Sequence, residues 1–333
     1  MALLSPTRAT ASVRLEARSL ILLGLVILLF LLPALQVIAD GYNYVLHILT
    51  LIFMYIALAS GWNIIGGYAG YTSLGHPVFF ALGAYFSGVL LVYQGWSPFW
   101  TAPLAGLLAI LFGFAFGFIT LRARGPSFVI STIALLLLAR LVLDNWEWVG
   151  GSNGLSLPMI GLPYRFYKIP FYYGMLLTAL TAVWVSYRIR HSKLGLFLRA
   201  IAMDETKAEV AGIDTRMCKV IAFAISAFFA GVCGALWGYH QTYLRPTIFL
   251  TIGAAADLVL INLVGGRGTV AGPVLGAALR VGLDELVVNQ IGSTELNITV
   301  TGALLILIVL FFPGGIIGAL RERGRLPRLL NWD

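Results

Sequence analysis

Charge is what this sequence has least of. Asp, Glu, Lys and Arg make up 11% of the 333 residues, where an ordinary soluble domain carries roughly 25%. Hydrophobic residues reach 59% and mean hydropathy is +0.91, more apolar side chain than a soluble fold of this length can hide. Cysteine is nearly absent. Cys218 and Cys233 point to neither a disulfide framework nor a metal site. Catalytic constellations are missing as well. There is no Gly-x-x-x-x-Gly-Lys-Ser/Thr, so the chain binds no ATP by a P-loop. Gly265-Gly266-Arg267-Gly268 is glycine-rich but lacks the lysine and a preceding strand. His47, His76, His191 and His240 have no metal-like spacing. Ser73 and His76 lie three apart without a carboxylate nearby, and Ser73 is not in a Gly-x-Ser-x-Gly elbow. The expectation is a chain that is not an enzyme, with no catalytic residue, metal or cofactor of its own.

What is present is long apolar runs. Residues 19–39, 43–65, 99–121, 220–239 and 298–320 contain no Asp, Glu, Lys or Arg, and each is long enough to cross a hydrocarbon core of about 30 Å. A backbone in lipid must satisfy its own hydrogen bonds, and continuous apolar runs without strict alternation select helices over a barrel. Residues 78–93, 127–143, 248–264 and 270–288 are shorter or carry a charge, and 171–187 opens on Pro170, where a missing N–H costs nothing. The predicted fold class is all-α: a polytopic bundle of about ten membrane helices. The first run follows Arg8, Arg14 and Arg18, as a secretory signal would. Its 21 residues exceed the roughly 7–15 of a signal core, which makes it an uncleaved anchor.

With ten crossings and the N-terminus inside, 17 of the 22 Lys and Arg fall on the cytoplasmic side. Only Arg165, Lys168 and Arg245 fall outside, with Arg140 and Arg280 at membrane depth. That asymmetry is the positive-inside pattern, so the net charge of +8 reflects topology in contact with lipid and not nucleic acid. Both termini are expected in the cytoplasm of a multi-pass inner-membrane protein. No linker divides the chain. Residues 1–18 form a cytoplasmic segment, 19–320 one membrane domain, and 321–333 a basic tail.

An internal echo is visible. Asn63-Ile64-Ile65-Gly66-Gly67 is matched by Asn262-Leu263-Val264-Gly265-Gly266. Each is followed by a Gly/Pro break, at Gly75-His76-Pro77 and at Gly272-Pro273, and then by a helix start rich in small residues. Paired interrupted segments of this kind point to a translocation pathway, or simply to close helix packing. Candidate pathway residues are Asn63, Gly66, Gly67, Ser73, His76, Asp257, Asn262, Gly265 and Gly266. Asp257 lies mid-segment, either lining the pathway or hydrogen-bonding a neighbouring helix. Arg140 with Asp144 and Arg280 with Asp284 are i,i+4 pairs toward predicted helix ends, read as structural.

The long charged loop, 187–219, encodes a short helix. Asp204 is placed to cap it, Glu205 suits the dipole of its first turn, and Gly212 fits the left-handed position beyond its end. Lys207, Ala208, Val210 and Ala211 fill the body, making a compact knob between two membrane helices and a candidate docking point for a soluble partner.

At this loop the chain resembles the permease subunits of bacterial ABC importers, and more narrowly the branched-chain amino acid permeases. The likeness runs through Asn63–Gly70 into Ser73-Leu74-Gly75-His76, then Arg122-Ala123-Arg124-Gly125, Gly150–Leu155 and Ser192–Gly195. It is strongest over Ala208-Glu209-Val210-Ala211-Gly212-Ile213, Lys219 and Ala222–Ala227, and ends with Gly265–Thr269, Gly272-Pro273 and Phe312-Pro313-Gly314-Gly315. The resemblance implies a second, related permease, two cytoplasmic ATPase subunits through which ATP acts, and a periplasmic solute-binding protein. It assigns Asp204, Glu205, Ala208, Glu209, Ala211, Gly212 and Ile213 to ATPase coupling. Ala202-Met203 departs from the family, whose members commonly carry a charged pair there. Branched-chain amino acids are the implied solute, with urea, short amides or aromatic amino acids as alternatives within the family. An ion-coupled secondary transporter using Asp257 is the alternative from another class.

Overall fold

A computed structural model describes residues 21, 23–34, 43–163, 166–291, 299, 302–303, 306–307, 310–311, 314–322 and 332. The segment 1–18, Arg165, part of the run 298–320 and most of the tail 321–333 lie outside the described residues. The cytoplasmic N-terminal segment and the basic tail expected there fall outside that description.

The chain is helical almost throughout. After an apolar helix α1 (Leu23–Ala34), α2 (Asn43–Asn63) continues as a π-helical turn, Ile64–Tyr68. Then come α3 (His76–Gln94), α4 (Pro98–Thr120), α5 (Pro126–Asp144) and α6 (Ile169–Arg190). The charged segment folds as α7 (Lys193–Met203) and α8 (Glu205–Val210). The long α9 (Thr215–Gln241), a short α10 (Pro246–Phe249), α11 (Ile252–Gly265), α12 (Gly272–Ile291) and α13 (Gly315–Glu322) complete the described helices. Proline starts α3, α4, α5, α6 and α10 at their first or second position, where its locked φ favours the helix and its missing N–H has no partner to lose.

Among the described residues, seven helices are long and apolar enough to cross a membrane: Asn43–Tyr68, His76–Gln94, Pro98–Thr120, Pro126–Asp144, Ile169–Arg190, Thr215–Gln241 and Pro246–Gly265. The class of fold expected from the sequence is met. The ends move outward by a turn or less in most segments, because polar residues such as Arg190 and Thr215 continue helices that the apolar runs only mark.

α9 is the centre of the bundle, packed against α4, α3, α2 and α6. Small residues make this possible. A Cβ on Gly83 would sit 1.9 Å from the Gly231 carbonyl oxygen, and one on Gly234 would sit 1.8 Å from that of Phe80. The α3 and α9 backbones therefore touch, as closely packed membrane helices do when small residues line their interface. By contrast α5 turns most of its surface outward, with Ile130, Leu137, Leu138, Leu141 and Val142 exposed, as expected of a lipid-facing helix.

At the far end from α7 and α8, residues of the α5–α6 loop pair with the α9–α10 link. The two-residue strands β1 (Leu155–Ser156) and β2 (Tyr243–Leu244) are antiparallel, Leu155 opposite Leu244. Tyr93 stacks on Trp148 there, ring centroids 5.2 Å apart, and Trp96, Trp100 and Trp146 are exposed beside them. Such a cluster suits the membrane–water interface.

Candidate functional site

The knob predicted around Asp204 is present with its caps. Asp204 is extended, and its Oδ1 accepts a hydrogen bond from the Lys207 amide at 3.1 Å. At the other end the Gly212 amide donates to the Glu209 carbonyl at 2.9 Å and the Ile213 amide to the Ala208 carbonyl at 3.1 Å. This double closure requires a left-handed residue at Gly212, whose φ is +85°. Ala208 is buried and Ile213 half-buried beneath α8, while Ala211 and Gly212 are exposed. Met203 and Val210 project outward, 89% and 86% exposed. The loop as a whole is more ordered than its charge suggests: α6 runs on to Arg190, and α7 buries Leu198 and Ile201 against the bundle.

Glu205 does not point outward with Met203 and Val210. Its Oε1 accepts from the Lys219 ammonium at 2.6 Å, and its Oε2 accepts from the Tyr71 hydroxyl. Lys219 also donates to the Tyr71 hydroxyl at 3.0 Å and lies over the Tyr71 ring. Arg124, between α4 and α5, reaches Glu205 at 3.4 Å and Glu209 at 2.7 Å, and Thr215 donates to Glu209 at 2.9 Å. Burial would push the Glu205 carboxyl up, but the hydrogen bonds from Lys219 and Tyr71 and the Lys219 and Arg124 charges hold it below its usual range. Burial and the same carboxylate push the Tyr71 phenol up. Lys219, expected at the basic end of a loop, is instead inside α9 and 2% exposed. Tyr71, Thr72, Arg124, Ile201 and Glu205 border a cavity of about 700 Å³ that opens at this end.

The two halves of the internal echo meet. Asn63 donates from Nδ2 to the Thr269 carbonyl at 2.8 Å and accepts on Oδ1 from the Gly268 amide at 3.0 Å. Arg267 donates from Nε to the Gly66 carbonyl at 2.8 Å and from Nη2 to that of Gly70 at 2.9 Å. Arg190 donates to the Gly268 carbonyl. A Cβ on Gly67 would lie 2.8 Å from the Gly268 amide nitrogen, one on Gly265 1.9 Å from the Gly272 carbonyl, and one on Gly315 2.6 Å from Gly266. Gly67 thus serves backbone contact between the repeats, and Gly265 serves close contact within the second.

The other candidate pathway residues do not gather with these. His76 Nε2 faces Ser226 Oγ at 3.0 Å; that hydroxyl's proton is committed to the Phe223 carbonyl at 2.7 Å, so the ring N–H is the donor. Ser73 accepts the Trp62 indole N–H on its carbonyl. Asn262 is buried and donates to Leu258 of its own helix. Asp257 meets Arg280 across the α11–α12 contact, Oδ2 to Nη2 at 3.3 Å, which supports its helix-linking reading. Arg280 also holds Asp284 at 2.9 Å and is mid-helix, not near an end as expected. The Arg140–Asp144 pair forms, at 3.6 Å.

Sequence reasoning missed Tyr71 and the role of Arg267, and gave Lys219 no partner. A signal existed for two of them: Lys219 follows Thr215 by only one helical turn within a helix that must be buried, and Arg267 sits between glycines that leave its guanidinium nothing but backbone to bind. Tyr71 carried none.

A bundle of long apolar helices, with two echoing halves clasped together and a capped knob at one end, is the build of a membrane transport permease. Residues 44–309 match the family model described as the branched-chain amino acid transport system / permease component. The chain belongs to that family. It is 32% identical over 307 residues to the high-affinity branched-chain amino acid transport system permease protein LivM of Escherichia coli K12, covering 84% of this chain and 71% of that one. LivM of Salmonella typhimurium is 31% identical, covering 89% and 76%. LivH of the same organism is 27% identical, covering 79% and 91%. No solved structure is a significant match.

Proposed function

We propose that this chain is a permease subunit of an ATP-driven importer that moves branched-chain amino acids across the bacterial inner membrane. The observation that carries the reading is the knob. The doubly capped helix α8 and the end of α7 before it hold Val210 and Met203 at almost full exposure, an arrangement that stabilises nothing within the chain and suits an apolar cleft on a soluble ATPase. Ten crossings with both termini cytoplasmic put the knob on the ATP side, next to most of the Lys and Arg. The knob is then pushed when the ATPases close, and the helices after Gly67 and Gly266 reorient by alternating access. A second permease related to LivH completes the pore, and a periplasmic binding protein delivers the solute. Selectivity resides in that protein, which agrees with pathway candidates that form no shared polar pocket.

The ion-coupled alternative would need Asp257 free to take a cation, and its carboxylate is held by Arg280.

The test is co-purification and uptake. Val210→Arg and Gly212→Trp should each detach the ATPase subunits and abolish ATP-dependent leucine uptake while the two permeases stay paired. Wild-type uptake by either variant removes the docking role, and uptake in vesicles holding the permeases alone removes the ATP-driven reading.

A further inference from the structure

Docking explains the outer face of α8 but not why an ammonium is buried behind it. Lys219 is 2% exposed, one turn into the central helix. Removing a charge from water is a poor way to gain stability, since an apolar side chain of similar shape does as well or better. What an ion pair adds is direction: it holds two elements at one distance and orientation.

Three moving parts meet at this pair. Glu205 opens α8. Lys219 belongs to α9, against which α2, α3, α4 and α6 pack. Tyr71 follows the π-helical turn Ile64–Tyr68, whose glycines contact the second repeat. The covalent path from α8 to α9 is weaker. It is the short link 211–214, built around Gly212, where an added Cβ would meet nothing within 4 Å. A glycine-centred link in open space bends more readily than it pushes.

We propose that the Lys219–Glu205–Tyr71 cluster is the transmission joint of this permease, passing displacement of α8 to the central helix and to the segment after the π-helical turn. The proposal rests on the docking reading and deepens it. Glu205 is assigned to the inside of the joint and not to the ATPase surface, and Lys219 and Tyr71 are positioning residues. When α8 moves, the carboxylate moves with it, and the ammonium, 2% exposed, and the phenol follow because that carboxylate is their shared hydrogen-bond partner. Arg124, bound to Glu205 and Glu209 at once, keeps the carboxylate aligned as it moves.

The experiment uses the assembled importer, with both permeases, the ATPases and the binding protein, in proteoliposomes, reading leucine imported per ATP hydrolysed. Lys219→Met should leave the ATPases bound and hydrolysing while the import-to-hydrolysis ratio falls about tenfold, within the usual range of a coupling between sites. Lys219→Arg, which keeps the charge, should recover part of it. A purely structural role would lower the amount of complex and leave that ratio unchanged, and this result overturns the proposal. Should Lys219→Met fail to assemble, the Glu205→Gln/Lys219→Met double variant leaves no lone buried charge. Assembly with a low ratio supports the joint; a normal ratio, or no assembly of either, overturns it. Failure of the docking reading looks different, because Val210→Arg would then leave the ATPases attached.

Discussion

Glu205 shows how much one side chain's surroundings decide. Its carboxyl titrates below the usual range because Lys219 and Tyr71 bond its charged form and outweigh the cost of burial. A group with a depressed folded-state pKa contributes its stability fully above its ordinary value, here 4.5, and loses it as pH falls through the lower folded value. The purified protein in detergent should therefore lose thermal stability on acidification below about pH 4.5, and Glu205→Gln should flatten that limb while costing stability at pH 7. An acid limb as steep in Glu205→Gln as in the parent would mean that other carboxylates set it. Lys219→Met should cost less stability at neutral pH than Glu205→Gln, because Arg124 still pairs with Glu205 in the first, whereas the second strands an ammonium that is 2% exposed.

Among the helices, what matters is where small residues fall. Gly234 in α9 meets the Phe80 carbonyl so closely that even alanine forces α3 and α9 apart, whereas Gly282 in α12 has nothing within 4 Å of an added Cβ. Gly234→Ala should destabilise the protein by about 1–3 kcal/mol through overpacking, and Gly282→Ala should stabilise it by roughly 0.5–1 kcal/mol through helix preference alone. Thermal unfolding of the two variants side by side checks this; equal midpoints would contradict the helix contact. The membrane helices were legible from their apolar runs because lipid imposes hydrophobic length directly. The capped knob was legible because Asp204 and Gly212 carry local chemistry. α7 was not, since its charges mask the apolar face formed by Leu198 and Ile201. The π-helical turn was not either, because Ile64 to Tyr68 reads as a simple continuation of α2.

For the molecule as a whole, the echo of Asn63–Gly67 with Asn262–Gly266 was visible in the sequence, but its meaning was not. The sequence left a translocation pathway and close helix packing both open. The structure uses Asn63 and Arg267 to bind backbone across 206 and 201 positions, places His76 and Asp257 in separate helix contacts, and bonds Asn262 within its own helix. Pairing over such distances leaves no trace in local composition. Orientation is checked at this scale. With the native cysteines replaced, Met203→Cys should react with a membrane-impermeant maleimide only from the cytoplasmic side, and Met159→Cys, 74% exposed on the opposite loop, only from the periplasmic side. Labelling of both from one side would overturn the assigned topology.

The clasp between the repeats also sets an order of events at the ribosome. Asn63 enters the membrane with α2, yet the Gly268 and Thr269 groups that satisfy its amide are made some 206 residues later. At about 5–20 residues per second, that polar side chain waits roughly 10–40 s. For that interval the first half of the chain is an unfinished half-clasp, dependent on the translocon or on water for its missing bonds. Closing Asn63 onto Thr269 is therefore an event of late synthesis, by which time α2 through α11 have all been made.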